Sequence, residues 1–128
     1  MFRHASPIPQ WVGDLRSRRM LDANAAALKF WRMTLDQFRN LPMQNFFQPE
    51  EVPRWEKLIQ EMKWGESGPW RCTRGDGSVF YCSIRWQMID YRGIYAAFVF
   101  PLRAGDTPAS MVELDFNDSP TAEVEGLR

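Results

Sequence analysis

Between Phe80 and Met88 the chain alternates without a break. Phe80, Cys82, Ile84, Trp86 and Met88 fall on one parity, and Tyr81, Ser83, Arg85 and Gln87 on the other. Successive side chains of a β-strand point to opposite faces, so this is a strand with one face buried. Asp76-Gly77, just before it, is a turn dipeptide: Gly accepts positive φ, and Asp can bond its own backbone. The stretch "WRCTRGDGSVFYCSIRWQM" (70–88) therefore reads as a hairpin whose apolar face must be covered by the rest of the chain.

Three more segments have strand character: "IPQWVG" (8–13), "MLDA" (20–23) and "IYAAFVFPL" (94–102). In the last, Ile94, Ala96, Phe98, Phe100 and Leu102 share a parity and are assigned to the inner face. Tyr95 and Val99 are then assigned to the outer face, together with Tyr81 and Trp11. Between the second and third strands the signals are helical. Asn24 is a good N-cap for "AAALKFW", and Thr34 with Gln37 has capping-box spacing. "NLPMQNFF" reads as a connector with one helical turn. Pro49 suits a first helical turn, and Glu50 and Glu51 favour its positive end. Val52, Trp55, Leu58, Ile59 and Met62 then form one helical stripe, which Gly65 is expected to stop. Strands and helices are grouped rather than alternating. The reading is an α+β domain, an antiparallel sheet with helices on one face.

Composition narrows the function. The chain has 128 residues and is 45% hydrophobic, with six Trp and nine Phe, so one aromatic core is expected. No run of about 18 apolar residues could span a membrane, and the first residues lack the apolar stretch of a secretory signal. A cytoplasmic location follows as an expectation. Residues 1–102 hold 14 Lys and Arg against 10 Asp and Glu (net +4), and residues 103–128 hold 2 against 6 (net −4). Apart from "RSRR" (16–19) there is no basic run, so direct nucleic-acid binding is not expected. Two cysteines and one histidine, His4, give no metal-ligand spacing, and no nucleophile–base pair stands out, so no metal site and no enzyme activity are expected. Residues 103–128 read as an acidic connection to an output module, in which Val112, Leu114 and Phe116 alternate as in a short strand or docking segment. The chain is expected to be part of a longer protein.

In order along residues 1–102, four stretches resemble a PAS domain, the bacterial sensory box. "SPIPQWVGDL" is similar to the first strand, and "LDANAAALKFW" to the strand–Asn–helix junction, with Asn24 on the frequent Asn. "FFQPEEVPRWEKLI" resembles the entry to the long helix, and "WRCTRGDGSVFYCSI" the hairpin after it. The resemblance implies a five-stranded antiparallel sheet of order 2-1-5-4-3, with short helices and one longer helix on one face. It departs from the family where Arg32-Met33 replaces a usual Gly, and where "PLRAG" replaces the closing "DIT".

The resemblance also implies a role: a regulatory module of a bacterial signalling protein, attached to an output such as a histidine kinase, a diguanylate cyclase or a transcription regulator. The ligand pocket, or the core in its place, would be built from Asn24, Leu28, Phe38, Phe46, Trp55, Ile59, Cys72, Cys82, Ile84, Phe98 and Phe100. Either a small apolar ligand enters it, or the core is filled and the module acts by protein–protein interaction. Homodimerisation is expected through the outer sheet face, at Trp11, Tyr81, Tyr95 and Val99, with the N-terminal arm "MFRHASP" between protomers. Flavin-adduct chemistry is disfavoured: Gln44 stands where the photosensory branch has its Cys, and Cys72, Cys82 and Phe100 align with its amides. Haem is disfavoured because residues 49–64 hold no His. Non-covalent FAD, as in redox-sensing relatives with a Trp near Trp70, is a further alternative. The resemblance also aligns Cys72 and Cys82 as inward-facing neighbours across the two strands, and an odd-length turn such as Asp76-Gly77-Ser78 would set them directly opposite; two free thiols are expected.

Overall fold

Strand β5 (Ile94–Gly105) lies at the centre of one antiparallel sheet. On one side it pairs with β4 (Val79–Tyr91), which pairs with β3 (Gly65–Thr73). On the other it pairs with β1 (Trp11–Asp14), which pairs with β2 (Arg19–Ala23). The order β2-β1-β5-β4-β3 is the one the resemblance implies, and the class is α+β. The structure is a computed structural model that describes residues 6–62 and 64–114. The expected roles of the N-terminal arm up to Ala5, of Phe116 and of the tail after it fall outside the described residues.

The sheet runs past position 102. β5 continues to Gly105, and a short β6 (Val112–Glu113) pairs with it through Arg103↔Glu113 and Ala104↔Val112. Pro101, which has no N–H to donate, sits at an irregularity in the β4–β5 ladder: Ile84 faces Pro101 while the adjacent Ser83 faces Arg103. Bulges are where a central strand tolerates proline. A second irregularity, in β3 between Ser67 and Trp70, carries Gly68 at φ 128°. A Cβ there would stand 2.9 Å from Ser83 Cα, so the close approach of the two backbones requires glycine.

Three helices between β2 and β3 cover one face. α1 (Ala25–Trp31) begins at Asn24, whose Oδ1 accepts from Ala27 N at 2.9 Å and from Gln10 N at 3.0 Å. Asn24 thus ties α1 to the segment entering β1. At the other end Arg32 adopts a left-handed φ of 55°, a conformation that costs a non-Gly residue roughly 1–2 kcal/mol. Its guanidinium meets Asp76 of the hairpin turn at 2.7 Å. α2 (Leu35–Asn40) starts with a complete Thr34–Gln37 capping box. A 3-10 turn at Pro49–Glu51 leads into α3 (Val52–Gln60). Glu51 Oε2 accepts from Arg71 N at 2.7 Å and anchors that turn to β3.

Two expectations are corrected here. α3 ends at Gln60, and Met62 turns away at φ 52°, 40% exposed, instead of extending the stripe; Gly65 is the first residue of β3 rather than a helix stop. The faces of β5 are also the reverse of those expected. Directly opposed residues of an antiparallel pair share a face. Trp86↔Val99, Met88↔Ala97 and Trp11↔Val99 place Val99, Ala97 and Trp11 under the helices. Val12↔Phe98 and Ile89↔Ala96 place Phe98 on the other face, in a separate apolar cluster against which Phe100 packs. Trp11 and Val99 are therefore not outer-face residues, and Phe98 and Phe100 are not pocket residues. β5 is flanked by strands on both sides and is apolar on both parities, so its own sequence contains no contrast to orient it.

Candidate functional site

A cavity of about 60 Å³ lies between α3 and the sheet. α3 contributes Trp55, Leu58 and Ile59, and the connector before it contributes Met43, Phe46 and Phe47. The sheet contributes Trp11, Trp70, Cys72, Cys82, Ile84, Trp86, Ala97 and Val99. No charged side chain lines it. Its aromatic wall is fixed from outside. Phe47 contacts Trp55 and Trp70 at ring separations of 5.4 and 5.2 Å. The Arg54 guanidinium stacks on Trp70 at 4.0 Å, Arg18 sits over Trp55 at 5.3 Å, and Trp70 Nε1 donates to Ser67 Oγ at 3.1 Å. A cation over an indole face is held by the ring quadrupole.

Cys72 and Cys82 are both free, 1% exposed, and 3.9 Å apart at their sulfurs. They are neighbours across the two strands but not directly opposite, the placement an odd-length turn would give. Trp70 faces Cys82 and Cys72 faces Phe80, so the cysteines are diagonal neighbours on the covered face. The hydrogen bond with Cys82 and then burial push the Cys72 thiol well above the usual range. Among the described residues no three His, Cys, Asp or Glu side chains group as a metal site.

Of the pocket residues expected from sequence, Phe46, Trp55, Ile59, Cys72, Cys82 and Ile84 line the cavity. Phe38 and Leu28 pack in the surrounding core without lining it, and Asn24 is the buried cap described above. Trp31, Trp70 and Trp86 were not singled out for the pocket, although β4 parity already placed Trp86 inward. Of the expected dimer-face residues, Tyr81 alone lies on the outer side, half-buried. Tyr95, 61% exposed, shares the parity of Ala97 and Val99 and stands on the helix-covered side beyond the end of α3. There it shares a surface groove with Met62, Met88 and Ile94.

The backbone arrangement was compared with known structures. A PAS domain from Desulfitobacterium hafniense superposes with a TM-score of 0.65 over 81% of this chain and 96% of its own, at 16% identity. The chain has the PAS fold. A PAS domain of a two-component sensor histidine kinase gives 0.61 at 13% identity, covering 77% of this chain and 86% of its own. The LOV domain of the blue-light activated histidine kinase of Erythrobacter litoralis gives 0.60 at 14% identity, covering 74% and 94%. No family model matches the sequence, and no curated protein matches it significantly. Within this PAS fold, Gln44 is exposed on the connector and Phe100 is on the far side of the sheet, so neither reaches the cavity. No helix among the described residues is long and apolar enough to cross a membrane.

Proposed function

We infer that the chain is the input module of a signalling protein: a PAS domain that takes up a small uncharged molecule beneath α3 and relays its presence to an attached output domain. The cavity carries this reading. About 60 Å³ is several times the ~10–15 Å³ that one water needs and well below the ~150 Å³ that admits benzene. Pockets for drug-sized ligands run to ~300–1,000 Å³. This volume weighs against a flavin. The flavin would need several times this volume, and its polar edge would meet thiols and indoles instead of amides, leaving buried polar groups unpaired at ~1–3 kcal/mol each. Haem meets the same limit of size. The non-enzymatic, cytoplasmic character expected from sequence belongs to this proposal. The test is the absorbance spectrum and native mass of the protein as purified. The account expects no visible chromophore and at most a light adduct. Stoichiometric flavin or haem would overturn it.

A second reading, self-association, is favoured by the exposed apolar side chains that line one surface groove: Met62, Ile94 and Tyr95. Contiguous exposed apolar surface marks interaction sites. Under this reading the dimer contact is beyond α3, not on the outer sheet face. Sedimentation of the protein and of Tyr95→Arg checks it: a dimer broken by the substitution is expected, and an unmutated monomer rejects it.

A further inference from the structure

The geometry points to Cys72 and Cys82 as a two-thiol receptor for a trivalent arsenical, taken up as its uncharged hydroxide in the cavity beneath α3. The inference rests on the reading of this cavity as a ligand site and names the ligand's chemistry.

Several ligand chemistries can engage two thiols, and the surroundings separate them. Tetrahedral zinc needs four ligands, and no third candidate joins the pair among the described residues. A monovalent soft cation held by two thiolates would leave a net negative charge in a wall without a charged side chain, which is costly unless paired. Disulfide formation starts with a thiolate, which burial and the mutual hydrogen bond disfavour here. An arsenic(III) hydroxide requires none of these. It exchanges two As–O bonds and two S–H bonds for two As–S bonds and two O–H bonds, releasing two waters. Arsenic stays trivalent, no electron is transferred, and the product is neutral.

Position and space agree with this. The sulfurs are already 3.9 Å apart on one face, and a single atom must reach both. The adjoining 60 Å³ accommodates one arsenic atom with its remaining hydroxyl or methyl group. Leu15 and Ile59 line both this cavity and the surface groove of Met62, Met88 and Tyr95.

The experiment titrates the reduced full chain with arsenite, following tryptophan emission, native mass and the thiols that a chromogenic reagent counts after denaturation. The expected result is one arsenic per chain, both thiols protected, and emission altered because Trp55, Trp70 and Trp86 share the wall. Cys72→Ala and Cys82→Ala should each weaken binding by roughly 10²–10⁴-fold, the advantage of a second intramolecular contact. Circular dichroism confirms that each variant is folded. If either is not, competition on the unmutated protein replaces it: a small dithiol should strip the arsenic at concentrations where a monothiol does not. Equal affinity in a folded single-thiol variant, or an adduct formed only on the unfolded chain, would overturn the inference. Uptake of a small apolar probe such as xenon together with failure of arsenite would remove this inference and leave the proposed function standing.

Discussion

Trp31 and Trp55 are both buried under the helix layer, but they are held differently. Trp31, at the end of α1, is met edge-on by Trp11, Phe30, Phe46 and Phe80 at ring separations of 5.0–5.6 Å. Phe38 then closes on Phe46 at 5.0 Å. Trp55, on α3, has Phe47 as its ring neighbour and Arg18 over its face; both indoles border the cavity, Trp31 from the α1 side and Trp55 from α3. Edge-to-face pairs add about 0.5–1.5 kcal/mol each beyond burial. The α1 side therefore holds the fold, and the α3 side keeps room to adapt. Under the proposed function, the responsive part is expected where packing is thinnest.

The largest effects should separate these two regions directly. Trp31→Ala should destabilise by about 4–5 kcal/mol and Trp55→Ala by about 3 kcal/mol, the two ends of the range for such deletions. Denaturant unfolding of both variants measures this. Equal losses would mean that the two sides are packed alike. A smaller contrast comes from adding volume. Ala27 on α1 is fully buried, whereas Ala97 on β5 lines the cavity. Ala27→Val should cost about 1–3 kcal/mol through overpacking, and Ala97→Val should stay within about 1 kcal/mol of neutral. If Ala97→Val is the more harmful, the free volume is not beside it.

These sites also show what the sequence could reveal. β4 was legible because polar and apolar residues alternate from Phe80 to Met88, so its inward set could be read before any fold was known. β5 was not, because Ala96 and Ala97, and Phe98 and Val99, are apolar on both parities. Only its hydrogen-bonded neighbours Trp86 and Trp11 decide which face is which. The caps at Asn24 and Thr34 were legible from local chemistry. The end of α3 was not, since Met62 continues the apolar spacing while its backbone turns to φ 52°. The cavity is still less local: six of its lining residues could be named from the sequence, but its volume depends on how five indoles from different segments meet.

The smallest effect concerns the tie between the α1 side and the hairpin. Hydrogen bonds from Ser78, and then the Arg32 guanidinium, hold the Asp76 carboxyl well below its ordinary range. A carboxyl depressed on folding contributes stability that is present above about pH 4, its unfolded pKa, and is lost as the pH falls below that. Asp76→Asn should therefore melt slightly lower than the unmutated protein at pH 7, with the gap closing below about pH 4. A gap constant across that window would show that the carboxylate charge plays no part in holding Arg32 and the turn.

The central claim is that the layer under α3 keeps a small apolar space, whereas the layer under α1 is filled. A crystal structure under xenon pressure tests it most directly, because dry apolar cavities bind xenon. The account predicts one xenon site, bounded by Trp55, Ile59, Cys72, Cys82 and Ala97, and none among Ala27, Phe38 and Phe80. Xenon absent from the α3 side, or that space already filled by side chains, would contradict it.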